Sequence, residues 1–515
     1  MNADKVNIIL GPPGTGKTTA LIGLPQGVGG SCVGVIEDAL SRGVDPGRIG
    51  FISFTKKAAE EGKSRAAAKF SLPEQDLPHF RTIHSFAFKH LGCRRDQVVN
   101  WPHLKELGKM LGLDFKGRGE VADGDVYGMN SADRLLFLDG LARNAKRPLR
   151  NIWSEAFEDT IDWFELDRFA KALATFKASR MLIDYTDMLE RFNSVDSKTL
   201  PEFDLLIVDE AQDLSPLQWD SVELLAYNAK TVFIAGDDEQ AIYKWSGADV
   251  ERFISLPGKV RTLDISYRIP SSVHVLAESI SRRIGRRREK IWHPRNAIGS
   301  VNWFNNIEEI DMSKGTWLLL ARNGYMLTQY ENWCLMEGFS FHSINRDPLK
   351  SHSLVAIRYW ESLRKGQLIS AEQVIDCVRY LPTSFVSEKL LSAVRVADPS
   401  QLFSMQELRG LGLGTELIWH EALTKISPKE RDFFLAARRR GEALLKEPRI
   451  QISTIHASKG GQADHVVLMT DMSYRCYNNM VAAPDDEMRV WYVATTRCKE
   501  SLNLIVPKTE MAFEL

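Results

Sequence analysis

An α/β fold built on parallel sheets is what this sequence predicts, and three observations predict it. Three apolar runs, Val6–Leu10, Phe203–Val208 and Thr231–Ala235, read as strands buried on both faces, because a sheet covered by helices on both sides needs near-continuous apolar strands. Each run ends in a polar cluster, as strands do where their C-terminal ends open onto a site. The first passes directly into a glycine-rich loop and the helix-compatible segment Thr18-Thr-Ala-Leu-Ile-Gly-Leu24.

The chain has 515 residues, room for three or four domains at roughly 150 residues each. Hydrophobic residues make up 44% and charged residues 26%, which excludes a collagen-like or wholly disordered chain. Lys and Arg number 66 against 67 Asp and Glu, so a globally basic nucleic-acid coat is excluded while a local basic groove is not. The six cysteines, at 32, 93, 334, 377, 476 and 498, form no C-x-x-C pair. Free thiols in a reducing cytosol are expected, not a disulfide scaffold or a zinc ribbon. The first residues are interrupted too early for a signal peptide, and apolar runs such as Trp317–Ala321 fall far short of a membrane span. A soluble cytoplasmic protein with no membrane partner is the expectation.

Gly11-Pro12-Pro13-Gly14-Thr15-Gly16-Lys17-Thr18-Thr19 fits the phosphate-binding pattern G-x-x-x-x-G-K-[ST]. Glycines at 11, 14 and 16 let the backbone turn tightly and aim its N–H groups inward. Lys17 supplies a point charge for the β- and γ-phosphates, and the Thr18 hydroxyl is placed to ligate Mg²⁺. The run ending at Asp209 and Glu210 supplies the acids: Asp209 to hold Mg²⁺ through water, Glu210 to orient and deprotonate an attacking water. The third strand leads into Gly236-Asp-Asp-Glu-Gln240, where Gln240 is placed to sense the γ-phosphate or its water. Beyond it, Tyr243 and Trp245 fit either a base-stacking platform or an ordinary core.

Further segments follow in order. They are Phe51-Ile-Ser-Phe54-Thr55, Arg81-Thr82-Ile-His84-Ser85-Phe86, Asp209-Glu210-Ala-Gln212-Asp213 and Ser266-Tyr267-Arg268. Ile452-Ser-Thr454-Ile-His456-Ala-Ser458-Lys459-Gly460 and Glu487-Met-Arg489-Val-Trp-Tyr492-Val-Ala-Thr-Thr496-Arg497 complete the series. Together they resemble superfamily 1 helicases of the UvrD/Rep type, over a span from Gly11 to Arg497.

The resemblance implies two recA-like P-loop motor domains with parallel sheets, each interrupted by a mainly helical accessory insertion. The first motor domain is expected at 1–91 and 196–266, with its insertion at 92–195. The second is expected at 267–346 and 449–515, with a small insertion at 347–448. It also implies that ATP, with Mg²⁺ at Thr18 and Asp209, binds between the two, touched by the loop residues 11–19, Tyr267, Arg268, Gly460, Gln462 and Arg497. Catalysis falls to Lys17, Asp209, Glu210, Gln240, Arg268 and Arg497, the last as an arginine finger. Single-stranded DNA is expected along Phe54, Thr55, Thr82, His84, Tyr243, Trp245, Arg322, Asn323, Thr454 and His456. Arg322 and Asn323 come from Leu320-Ala-Arg322-Asn323, similar to a shortened DNA-contacting motif.

The implied activity is ATP-dependent DNA translocation and strand separation, 3′→5′, on single strands and single-strand/duplex junctions, in replication or repair. A monomer suffices for the ATP site, and no protein partner is named. Two alternatives are a translocase that displaces proteins or needs a partner to unwind, and a nucleotide-gated DNA-binding regulator.

The sequence also departs from the family. No glutamine precedes Gly11, so adenine recognition is expected to rest on stacking against Tyr267. Gly460-Gly461-Gln462 stands where the family has Gly-Leu-Glu. The chain stops soon after Arg497, so no docking tail or nuclease domain is expected, and the compact form fits a bacterial or phage source. Ser131 is expected to cap a helix running to Arg143, with other helices at Leu390–Val396 and Glu430–Glu447 and a loop at Gly117–Gly124. Two basic clusters, Arg282–Lys290 and Arg438–Arg440, read either as phosphate contacts or as solvated faces.

Overall fold

The computed structural model describes residues 1–24, 33–117, 129–155, 161–343, 347–442 and 447–515. Its strands are β1 (Val6–Leu10), β2 (Ile49–Ser53), β3 (Phe80–Thr82), β4 (Phe203–Asp209), β5 (Ala229–Gly236) and β6 (Lys259–Thr262), then β7 (Ser300–Phe304), β8 (Trp317–Ala321) and β9 (Phe341–Ser343). A short pair, β10 (Ile369–Ser370) and β11 (Leu402–Phe403), precedes β12 (Ile450–Thr454), β13 (Ala463–Met469) and β14 (Cys498–Ile505). The first sheet has the order β3-β2-β4-β5-β1-β6 and the second β7-β14-β13-β8-β12-β9. Every pairing within both is parallel.

The continuous apolar strands are explained by a core on each face. In β1, Val6, Ile8 and Leu10 join the core around Phe203 and Trp219, while Ile9 joins the opposite one around Leu21 and Phe51. In β8, Leu318 and Leu320 face the core around Trp491, while Trp317, Leu319 and Ala321 face that around Tyr330 and Phe341. The period-two alternation of side chains is thus fully spent on burial.

Between β3 and β4 lies a helical unit that includes Trp101–Leu111, Ser131–Asn144, Leu149–Glu155 and Trp163–Ser179. It has its own core of Leu107, Leu135, Leu138, Leu166, Phe169 and Leu173. Its second helix is capped not by Ser131 but by Asn130, whose Oδ1 accepts from the Asp133 N–H at 2.9 Å. Between β9 and β12 a second helical unit, including His352–Arg364, Ala371–Val378, Glu388–Val396 and Pro428–Arg440, packs around Trp360, Leu390 and Phe433. The last of these helices ends earlier than expected, because Gly441 takes a left-handed φ of 77° and stops it. The expected loop residues 118–124, Cys32 and residues 443–446 lie outside the described residues.

The second unit is fixed to the second sheet at close range. A Cβ on Gly338 would lie 2.4 Å from the Ala436 carbonyl carbon, and the Arg440 guanidinium lies 4.0 Å over the Phe339 ring while pairing with Glu337. Among the described residues no helix is long and apolar enough to cross a membrane, and Cys93, Cys334, Cys377, Cys476 and Cys498 are free.

The basic cluster 282–290 is largely internal wiring. The Lys290 ammonium is buried at 2.8 Å from both Asp237 and Asp238 and 3.5 Å from Glu239. Arg287 pairs with Glu239 at 3.0 Å, and the Arg288 guanidinium donates to the carbonyls of Phe253 and Leu256. These residues stitch the segment before β7 to the acidic loop after β5. Removing one partner of such a buried group strands the others. Lys290→Ala is therefore expected to cost about 3–5 kcal/mol in urea unfolding. The exposed cluster member Arg282, replaced by Ala, is expected to shift stability by no more than about 0.5 kcal/mol.

Candidate nucleotide cleft and strand track

The loop after β1 is built as its residues require. Leu10 pairs with Gly236, and the Gly11 N–H donates to the Gly236 carbonyl at 3.0 Å, so the loop begins at the C-terminal edge of the first sheet. Gly14 and Gly16 take φ values of 73° and 80°, which only glycine adopts freely. At Gly11 the Lys17 stem crosses so closely that a Cβ would lie 1.9 Å from its Cγ. The Thr15 hydroxyl closes the turn onto the Pro12 carbonyl at 2.8 Å. Lys17 opens the helix Lys17–Ile22 with Thr18 behind it, and the Thr19 hydroxyl accepts from Arg65 at 2.8 Å.

β4 delivers its acids to the same edge. Lys17 Nζ lies 3.0 Å from Glu210 Oε1, and the Glu210 N–H donates to Asp209 Oδ1 at 2.9 Å. Glu210 holds a left-handed φ of 53°, rare for a side chain of its size, which turns its carboxylate back toward Lys17. Burial and the Glu210 carboxylate push Asp209 up to about 7. Burial would also raise Glu210, but Lys17 and Lys459 outweigh it and hold Glu210 down to about 2. Burial opposes the Lys17 charge, yet Glu210, Asp209 and Asp237 leave its ammonium above the ordinary value.

Groups of the second sheet close over this edge. The segment after β6 is pinned to the loop: Ser266 Oγ donates to the Pro13 carbonyl at 2.7 Å, and the Tyr267 N–H donates to that of Gly14 at 2.9 Å. Tyr267 itself is 75% exposed, with its ring edge beside Gly16. Arg497, buried at the start of β14, donates from Nη2 to Gln240 Oε1 at 3.0 Å and from Nε to the Val493 carbonyl at 2.9 Å. Gln240 Nε2 in turn donates to Asp237 at 2.6 Å. Burial and the neighbouring Arg268 charge push Arg497 down to about 9, and burial also lowers Arg268, whose Nε is buried without a hydrogen-bond partner. Two adjacent guanidiniums facing a lysine and a glycine loop make a site for a polyanion. The charge and donors of a magnesium triphosphate fit this set of groups.

Three expected strand residues come together. Phe54 stacks on Tyr243 with ring centroids 5.7 Å apart, Tyr243 lies 6.5 Å from Trp245, and Trp245 stacks on Phe137 of the first helical unit at 6.1 Å. Strand register explains the placement, since Ser53 pairs with both Asp209 and Thr82. Thr55 and Thr82 use their hydroxyls to cap the helices that follow, accepting from Ala58 and Ser85. His84 lies edge-on to Tyr185 at 5.6 Å, and burial holds it down to about 4, neutral at physiological pH.

Four expected strand residues are buried in the second sheet. Arg322 is 6% exposed and grips Glu487 through Nε and Nη2 at 2.6–3.2 Å. Asn323 is fully buried between Ser473 and Cys476. Thr454 is buried with its hydroxyl accepting from Ala457, and His456 is buried with its charge suppressed by burial and by Arg322 and Lys459. These side chains brace the second sheet from inside. Gly460 and Gln462 are exposed, and it is the Gly461 carbonyl that accepts from Arg497, at 3.4 Å.

Sequence reasoning placed two residues inside motifs without giving either a role. Gln212 donates from Nε2 to Glu210 at 2.6 Å and accepts from the Asp237 N–H at 3.1 Å, so one amide ties the ends of β4 and β5. Lys459 reaches across to Asp213 and to the Gln240 carbonyl, both at 2.5 Å. The available signal was their place in those motifs, an amide set among the acids 209–213 and a lysine set among the small residues 457–461.

Two family models match the chain. Residues 2–110 and 141–260 match the UvrD/REP helicase N-terminal domain, and residues 431–509 match the UvrD-like helicase C-terminal domain. The two matches together span more than half of the chain, which belongs to the UvrD/Rep helicase family. It is 31% identical over 269 residues to DNA helicase II of Salmonella typhimurium and 30% identical over 269 residues to that of Escherichia coli. Each alignment covers 48% of this chain and 36% of the relative. A probable DNA helicase of Mycoplasma pneumoniae is 26% identical over 311 residues, covering 55% of this chain and 54% of the relative. The chain thus spans roughly a third to a half of the length of these curated relatives.

Gly11→Ala tests the loop without touching a charge. The added methyl must displace the Lys17 stem, so affinity for a fluorescent ATP analogue is expected to fall at least about tenfold, the worth of a charge-assisted hydrogen bond. The thermal melting midpoint is expected to stay close to that of the parent.

Proposed function

We propose that this chain is a DNA-dependent ATPase that works as a DNA helicase or translocase, moving 3′→5′ along single-stranded DNA. The observation that carries the reading is the meeting of Arg497 and Arg268 with Lys17, Asp209, Glu210 and Gln240 around one cleft between two parallel sheets. Lys17 and the loop amides hold the β- and γ-phosphates, Glu210 orients and activates the attacking water, and Gln240 positions it. Arg268 and Arg497 stabilise charge that spreads over the transferring phosphoryl. Magnesium, bound by Thr18 and Asp209, neutralises phosphate charge in that site. Tyr267 offers its ring to the adenine.

Because the arginines and the loop sit on different sheets, nucleotide favours closure and its hydrolysis releases it. Phe54, Tyr243 and Trp245 give a sequence-blind grip, since every base has a π-face. Single-strand/duplex junctions are the proposed substrate, one chain the working unit, and the cytoplasm the compartment. The motor domains are taken as 1–91 with 196–266 and 267–346 with 449–515, and the insertions as 92–195 and 347–448. The polarity rests on the likeness of Thr82-Ile-His-Ser85 and Tyr243-Lys-Trp245 to their UvrD-type counterparts.

One observation favours a second reading, a translocase that strips proteins or needs a partner to unwind: the second insertion is small and held against the second sheet by Gly338 and Arg440. A nucleotide-gated regulator without turnover is disfavoured by the full set of catalytic groups.

Arg497→Ala is expected to lower kcat for ATP by about a thousandfold or more, the worth of an arginine finger, while ATP binding persists. Unwinding is expected from a 3′-tailed duplex and not from a 5′-tailed one. A strand-displacement assay with both tails decides it, and unwinding from the 5′ tail alone would refute the polarity.

A further inference from the structure

Ser53 closes β2 and is out of character with it. The rest of the strand, Ile49-Gly50-Phe51-Ile52, is apolar or small, yet its last residue is a serine only 1% exposed. The Ser53 Oγ is buried and has no hydrogen-bond partner among the described residues. Buried polar side chains are nearly always bonded, and an orphan at the edge of a site is explained when its partner is set by the ligand.

Strand register supplies a candidate partner. β2 lies between β3 and β4, and Ser53 stands opposite Thr82 on one side and Asp209 on the other. Side chains alternate along a strand. Ile52 and Val208 face the core around Phe203 and Trp219, while Phe51 and Ile207 face that around Leu21 and Ile22. Ser53 and Asp209 therefore project side by side on the second of these faces. The helix Lys17–Ile22, which carries Thr18, covers that same face. Neighbouring strands are about 4.8 Å apart, so one χ1 rotation brings a serine hydroxyl to a carboxylate in register with it.

The two neighbours differ in what they offer. The Thr82 hydroxyl already caps a helix, accepting from the Ser85 N–H at 3.2 Å. Asp209 accepts from the Glu210 N–H through Oδ1, and among the described residues no hydrogen bond reaches its Oδ2. Carboxylates that ligate metals are themselves held by hydrogen bonds from groups behind them.

We propose that Ser53 is a positioning residue for the metal-bearing carboxylate: in the loaded cleft its hydroxyl donates to Asp209 and aims that carboxylate at the magnesium beside Thr18. The proposal rests on the reading of the cleft as a magnesium-triphosphate site and adds a residue to it. Ser53 touches neither nucleotide nor metal. Its effect reaches the cation only through Asp209.

The test uses the full chain and a fluorescent, non-hydrolysable ATP analogue, bound once with excess magnesium and once with EDTA. The ratio of the two affinities reports how tightly the cleft holds the cation, because metal and nucleotide binding are reciprocally linked. In the parent, magnesium is expected to tighten binding. Loss of a donor behind a metal ligand costs about 10–100-fold in metal affinity, so Ser53→Ala is expected to lower the ratio about tenfold or more. Its affinity in EDTA and its melting midpoint are expected to stay those of the parent. Ser53→Thr, which keeps the hydroxyl, is expected to keep the ratio. Ser53→Cys, close in size with a weak donor, repeats the measurement should Ser53→Ala melt early, and is expected to lower the ratio in the same direction.

A Ser53→Ala chain with the parent's ratio overturns the proposal. So does one that loses affinity equally in magnesium and in EDTA, since Ser53 would then shape the loop and not the carboxylate. Asp209→Asn checks the route: with that change in place, Ser53→Ala is expected to lower the ratio no further. A full further loss there would mean that Ser53 acts on the cation by another path, and the proposal falls. A parent whose affinity ignores magnesium fails at the earlier step, the reading of the cleft as a magnesium-triphosphate site.

Discussion

Arg497 is one of the largest charged side chains buried among the described residues, and its guanidinium spans from the second sheet to Gln240 on the first. A guanidinium cannot shed its charge at physiological pH, so burying it demands partners. Here those partners are neutral: Gln240, the Val493 carbonyl and the Gly461 carbonyl. Among the described residues none of its hydrogen bonds goes to a carboxylate, and the nearby Arg268 charge makes the position still less comfortable. A cation held this way is strongly disposed toward an incoming anion. The glycine loop, the acids of β4 and the aromatic row gain their significance from facing it.

The contrast with the other buried cations is instructive. Lys290 and Arg322 are equally hidden, but each is matched by carboxylates, three around Lys290 and Glu487 on Arg322. Those groups are neutralised and hold the fold. Between the buried arginines Arg322 and Arg497 the difference is not burial but whether the protein has already supplied the counter-charge.

Much of this was legible in the sequence where local chemistry is strict. The loop Gly11–Thr19 needs its glycines at positions of positive φ or close approach, so the pattern and the geometry are the same fact. β1, β4 and β5 were visible because a doubly covered strand is apolar throughout. The stacking of Phe54 on Tyr243 could be anticipated only as a common destination, through the resemblance. What the sequence hid was the destination of charge. Arg322 and Asn323 read as strand contacts, yet they point inward, because a side chain's direction at the end of β8 depends on Glu487 and Ser473, some 150 residues away. The cluster 282–290 had no periodicity to betray that its partners were the acids after β5. Lys459 stood in plain view, but no local pattern says that a lysine on one sheet will lie over an aromatic ring of the other.

The central claim is that one cleft between two sheets turns nucleotide chemistry into a grip on a single strand. It is tested most directly by steady-state ATP hydrolysis at one fixed salt concentration with no nucleic acid, single-stranded DNA, duplex DNA and single-stranded RNA, since phosphate contacts make any comparison across salts meaningless. The account predicts strong stimulation by single-stranded DNA and little by blunt duplex. Equal rates in all four reactions would contradict it, leaving the cleft as a nucleotide site with no track.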